Sequence, residues 1–153
     1  MVRLQECPRQ TAAATETTSP PREGEIQMLG SSKIVAFAAV TDYAKARAFY
    51  ETTLGLKFIS QDNFALVMEG NGTRIRMAKV ANHQPVQFTV LGWEVSDIEK
   101  KVSELQSSGV TFERYPWMQK DGPPIWGAPD GDKVAWFKDP DGNVLSLSFH
   151  VAA

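Results

Sequence analysis

Two arginines spaced two apart in "TRIRMAKV", Arg74 and Arg76, and one carboxylate in "LGWEV", Glu94, are the residues whose chemistry most needs explaining. Residues two apart on a strand share a face. An arginine lining a cup can hold a carboxylate, a phosphate or an enolate through its planar fork of donors. Glu94 shares a face with Val90 and Gly92, and two roles are open to it. It either neutralises Arg76 as an internal ion pair, or acts as an acid–base group while Arg76 stabilises developing negative charge. Arg76 and Glu94 are therefore the catalytic candidates.

The same alternation picks out the rest of the lining. In "NVLSLSFH", Leu145, Leu147 and Phe149 form an apolar face suited to a helix, which turns Ser146, Ser148 and His150 the other way. Phe37 shares a face with Val35 and supplies an apolar wall. Gly92 either leaves room for a ligand or marks a close backbone approach. Trp93 has the opposite parity and belongs to the core. The expected ligand-binding set is Phe37, Arg74, Arg76, Gly92, Glu94, Ser146 and Ser148, with Trp117 and Trp126 added from a loop described below.

Other chemistries lack their groups. No serine or cysteine has a histidine and an acid at recognisable spacing, and no glycine-rich loop joins a strand to a helix. His83 lies in a polar linker and His150 near the end of the chain. Neither has a neighbour at ligand spacing, and both read as solvent-exposed surface. Glu69 and Glu94 do not by themselves make a convincing metal shell.

The elements that must position these residues come in two sets. "KIVAFAAV" is a β-type run, followed by a helix through "DYAKARAFYETTLG" with Thr41 or Asp42 as N-cap and Gly55 as stop. The strands "LKFIS", "FALVME" and "TRIRMAKV" follow, with turns at Gln61-Asp62-Asn63 and Gly70-Asn71-Gly72. The plan then repeats: strand "VQFTVLGWEV", a capping box from Ser96 to Glu99, a helix stripe ending at Gly109, and strands "VTFERY", "KVAWFK" and "NVLSLSFH". Val40-Thr41-Asp42 answers Val95-Ser96-Asp97 at an offset of 55, and Gly72 answers Gly142 at an offset of 70.

The expected fold is α+β, with two tandem βαβββ modules (33–80 and 86–151) in one domain over 31–153. They form a cupped mixed sheet around a cavity, with the helices outside. The larger second offset reflects the loop "YPWMQKDGPPIWGAPDGDK". Its Trp117, Met118 and Trp126 either close over a flat ligand or pack on the protein's own flank or a second subunit.

Composition narrows the partners. A net charge of −2 gives no electrostatic reason to expect nucleic acid or an anionic membrane, and no apolar run reaches the ~18 residues that span a bilayer. Cys7, the single cysteine, has no internal disulfide partner, so the default location is cytoplasmic. Residues 1–30, with "TAAATETTSPPREGE", have almost nothing to bury and read as a flexible tail. Met28 stands just before the first strand, so the upstream part reads equally as an over-called start.

"VTDYAKARAFYETTLGLKF" and "FKDPDGNVLSLSF" together resemble the vicinal oxygen chelate superfamily, which includes glyoxalase I, bleomycin-resistance proteins and extradiol dioxygenases. The first resembles that family's strand-to-helix entry, and the second its closing hairpin. In the hairpin, Asp139, Pro140 and Gly142 are sufficiently explained as a turn.

The resemblance implies a homodimer. In metal-dependent members it also implies four ligand positions, which here are Val35, Arg76, Val90 and Ser146. Valine has no lone pair, arginine is a permanent cation, and one serine hydroxyl is a poor ligand. The expectation is therefore no metal and no cofactor. The protein reads as a metal-free binder of a small organic molecule, anionic or aromatic, with a glyoxalase-like lyase or isomerase, or a dioxygenase-like enzyme, as the alternative.

Overall fold

The computed structural model describes Met28–Ala152. The expected tail lies almost wholly outside the described residues, which begin with a single 3-10 turn at Leu29–Ser31. From Lys33 the two modules appear in order. The first is β1 (Val35–Val40), α1 (Tyr43–Arg47) running into a π-helical turn (Ala48–Thr53), β2 (Lys57–Gln61), β3 (Leu66–Gly70) and β4 (Thr73–Lys79). The second is β5 (Leu91–Glu94), α2 (Ile98–Ser107), β6 (Trp126–Gly127), β7 (Lys133–Lys138) and β8 (Val144–Phe149). Each forms a four-stranded mixed sheet, ordered β1-β4-β3-β2 and β5-β8-β7-β6, so the fold is α+β with two modules.

The repeat is exact at the level of strand pairing. Phe37 pairs with Arg76 across the parallel β1–β4 ladder, and shifting these positions by 55 and 70 gives the observed pair Gly92 and Ser146. Ala39 and Ala78 map in the same way onto Glu94 and Ser148. On each sheet one face is apolar and buried: Ala38, Val40, Ile75 and Met77 in the first, Ala135, Phe137, Leu145 and Leu147 in the second. These pack with Ala46 and Tyr50 of the first helix and Ile98 and Val102 of α2 into one cluster shared by both modules. Full burial of each large side chain is worth about 1.5–3 kcal/mol.

Asp42 caps α1 by accepting from the backbone N–H groups of Ala44 (2.8 Å) and Lys45 (3.1 Å). The cap of α2 is Asp97, which accepts from the Lys100 N–H at 2.9 Å. The expected capping box from Ser96 to Glu99 is therefore displaced by one residue, because the aspartate carboxylate is the stronger acceptor and Glu99 is engaged with Lys133. Gly55 (φ 74°) ends the first helical segment and Asn71-Gly72 (φ 46° and 80°) turns the β3–β4 hairpin, both in left-handed backbone.

Two expected strands change. β5 is shorter than "VQFTVLGWEV" suggests: Phe88 is exposed, and only the Val90 N–H, donating to the Val144 carbonyl at 2.9 Å, extends the pairing backwards. "VTFERY" is not a strand, although Phe112 bridges Phe137 and the Glu113 N–H reaches the Trp136 carbonyl at 2.7 Å. The outer edge of β7 is shared. Phe112–Glu113 covers one end, β6 covers the other at Val134 and Lys133, and the chain between them loops out. Alternation reads the apolar pattern of "VTFERY" correctly, but sharing the edge with β6 leaves the Phe112–Glu113 part a single isolated bridge, too short for a ladder.

The hairpin Asp139-Pro140-Asp141-Gly142-Asn143 joins the modules. Asp139, almost fully buried, accepts from the Asp141 and Asn143 N–H groups (both 2.9 Å), the Asn143 amide (2.7 Å) and the Tyr50 hydroxyl (2.9 Å). Burial, reinforced by the Asp139 charge, pushes the Tyr50 hydroxyl far above its ordinary range, so it remains a neutral donor. Asp141 accepts from the Thr41 N–H at 3.0 Å and from its hydroxyl, while the Asn143 amide donates to the Ala39 carbonyl at 2.8 Å. His83 lies 2.7 Å from the Asn143 side chain and is half-buried, not a surface residue as its linker position implied. The aspartates are structural, and they hold one module to the other.

Candidate functional site

The face of each sheet opposite the core is the place to look. On the first sheet it carries Val35 beside Arg74 and Phe37 beside Arg76, with Glu69 and Val67 continuing the two rows on β3. Phe37 is 67 % exposed and Val35 41 %, so among the described residues the β1 side of this face is open, whereas Val67 on β3 is buried. Among the described residues, neither Arg74 nor Arg76 enters an ion pair. Arg76 and Glu94 are accordingly not brought together. Glu94 is exposed at the end of β5, close enough to raise the pKa of His150. The main cause of that rise is the hydrogen bond with Asp132, 2.7 Å away, which in turn holds the Asp132 carboxyl below its usual range.

The open face of the second sheet is different. Gly92, Ser146 and Trp136 form one cross-strand row, and Glu94, Ser148, Val134 and Trp126 the next. Ser146 is buried, and a side chain at position 92 would come within 2.9 Å of its hydroxyl. Gly92 is thus a close approach of β5 to β8, and the space it leaves is taken by Ser146.

Around Trp126 and Trp136 of these rows four aromatic rings gather. Trp117 stacks on Tyr115 (centroids 5.4 Å apart, planes 8° apart) and meets Trp126 and Trp136 edge-to-face at 6.0 and 5.6 Å. Trp117 is nevertheless 59 % exposed. Trp117 and Trp126, expected from the loop, are therefore together. Tyr115 and Trp136 were not anticipated. Period two on "KVAWFK" sets Trp136 opposite the buried Ala135 and Phe137 and carries the signal for it, whereas Tyr115 lay in a segment read as strand. Trp93 packs on Phe137 at 6.3 Å, on the core side as its parity requires.

One residue shapes the loop. The Arg114 guanidinium donates to the carbonyls of Gln119 (3.2 Å), Lys120 (3.4 Å) and Gly122, tying the excursion into a ring. Met118 is buried, its sulfur accepting from the Tyr115 backbone nitrogen at 3.4 Å. Arg114→Ala is expected to free three carbonyls and speed proteolytic cleavage between Tyr115 and Ile125 about tenfold, with the melting temperature falling by only ~2–4 °C. Limited proteolysis with mass spectrometry reads the first effect; an unchanged cleavage rate would show that the loop holds its shape without the guanidinium.

Val35, Arg76, Val90 and Ser146, the positions at which the resemblance leads one to expect metal ligands, offer a donor set that does not fit a metal. Among the described residues no three of histidine, cysteine, aspartate or glutamate converge elsewhere.

A family model described as the Glyoxalase/Bleomycin resistance protein/Dioxygenase superfamily matches residues 33–147. The chain belongs to this superfamily. YraH of Bacillus subtilis strain 168, an uncharacterized protein, is 28 % identical over 123 residues, covering 71 % of this chain and 90 % of its own. A superfamily member from Sphaerobacter thermophilus DSM 20745 is 25 % identical with a TM-score of 0.63, covering 80 % of this chain and all of its own. TnmS3, an antibiotic binding protein from Streptomyces sp. CB03234, shares the fold at 24 % identity and a TM-score of 0.60, with 82 % of this chain and 100 % of its own covered. No helix among the described residues is long and apolar enough to cross a membrane.

Proposed function

We propose that this is a metal-free small-molecule-binding protein of the glyoxalase/bleomycin-resistance type. Its ligand is a flat organic molecule with an anionic group, and it works as a cytoplasmic homodimer. The observation that carries the reading is the exposed row of Arg74 and Arg76 beside Phe37, two guanidinium forks without ion-pair partners among the described residues next to an uncovered apolar wall. The ligand's anionic group sits on the forks and its plane on Phe37, and the open face of a second copy closes over it. The donor set at the metal positions supports binding without a metal, and a fold-mate described as an antibiotic binding protein supports binding as a task this fold performs.

Titrating chelator-treated protein with naphthoate and anilinonaphthalene sulfonate by calorimetry tests the proposal. Stoichiometric binding, unchanged by added manganese, nickel or zinc and without turnover, is expected. Arg76→Ala should weaken it about 10- to 100-fold, the loss of a charge-assisted pair. Binding that appears only with a metal, or steady conversion of a ligand, would replace this reading with the lyase, isomerase or dioxygenase alternative.

A further inference from the structure

A cleft of about 390 Å³ lies at the outer edge of the second sheet, where β6 ends the strand order, and it is lined by groups other than the Arg74–Arg76 surface. Its walls include Trp117 and Trp126, whose planes stand 88° apart with centroids 6.0 Å apart. Tyr115 already covers one face of Trp117, and the exposure of that indole places its other face toward open space. At the mouth, Glu99 of α2 is paired with Lys133 of β7, and Gln119 adds an amide. An exposed indole face carries the negative lobe of its quadrupole, which repels anions and attracts cations.

Lys133 is the only cation among the described residues lining the cleft, and while paired with Glu99 its ammonium also lies 5.9 Å from the centre of the Phe149 ring. The Glu99 carboxyl is held below its usual range chiefly by the Lys133 hydrogen bond, so it carries full charge at neutral pH. A ligand cation that takes the place of Lys133 meets a ready counter-ion.

We propose that this edge cleft is a second binding site, selective for a compact organic ammonium seated against Trp117 and Trp126 with its charge balanced by Glu99. The site is independent of the Arg74–Arg76 surface, so either can fail without the other. Gly127 supplies the means of closing it. Its backbone is not left-handed and a Cβ added there meets nothing within 4 Å, so a valine fits strand β6 at a position that lines the cleft.

The test is a tryptophan-fluorescence titration with choline and with dimethylbutanol, its uncharged isostere. Choline should saturate and the isostere should bind at least tenfold more weakly. Gly127→Val should abolish the choline response while leaving naphthoate binding and the melting temperature in place. Glu99→Gln should weaken choline about tenfold, and Lys133→Met, which frees the carboxylate, should tighten it. Equal binding of the two isosteres, an undiminished choline response in Gly127→Val, or weaker choline binding in Lys133→Met would each overturn the assignment.

Discussion

Asp139→Ala is expected to destabilise the protein by about 3–5 kcal/mol and to lower its melting temperature by roughly 10 °C or more. The substitution removes two carboxylate oxygens that together accept four hydrogen bonds in a site closed to water. The Tyr50 hydroxyl and the Asn143 amide are then left without that acceptor, and an orphaned buried donor costs about 1–3 kcal/mol. Tyr50→Phe alone should cost less, about 1–2 kcal/mol, because Asp139 keeps its other three donors. The double variant should cost less than the sum of the single ones, since the two substitutions share one bond. Chemical denaturation of the four proteins measures this, and strict additivity would mean that the Tyr50–Asp139 contact contributes nothing of its own.

The second large effect is on assembly. Phe37→Asp should convert the proposed homodimer into a monomer at micromolar concentration, seen by light scattering or sedimentation. A phenylalanine 67 % exposed on a sheet face beside Val35 is costly to leave in water, and covering it recovers about 2 kcal/mol. A two-fold axis makes each contact twice, so one substitution removes about 4 kcal/mol and weakens association on the order of a thousandfold. The new carboxylate lies next to Arg76, where it forms an ion pair in the free subunit and opposes reassociation further. If the unsubstituted protein sediments as a monomer, the second-copy element of the proposed function is wrong, and Arg74 and Arg76 face bulk water.

Much of this was readable from residue order, and the reasons are local. The two modules were legible because "VTD" and "VSD" precede both helices and glycine turns precede both last strands, so the offsets fixed which strands correspond. The faces were legible because side chains alternate: Arg76 and Phe37 share a row, as do Gly92 and Ser146. What alternation does not encode is distance between rows on different sheets. It aligned Glu94 with Arg76 by parity, yet Glu94 stands near His150 instead. Nor does it show which side chain fills a space, which is why Gly92 read equally as ligand room and as close packing until Ser146 was seen against it. The ring cluster was half legible: its loop tryptophans stood out by size, but Trp136 comes from a strand whose other neighbours are core.

The clasp between modules also governs when the chain can finish folding. Tyr50 is separated from Asp139 by 89 positions, and Thr41 from Asp141 by 100. At about 5–20 residues per second, a ribosome takes roughly 5–20 s to supply the acceptor that the first helix is waiting for. Throughout that interval the nascent first half has a tyrosine with no permanent mate and an apolar sheet face awaiting its cover. Completion is thus set by the arrival of the last hairpin, and truncations shortly before it should be far more prone to chaperone capture than their small loss of length suggests.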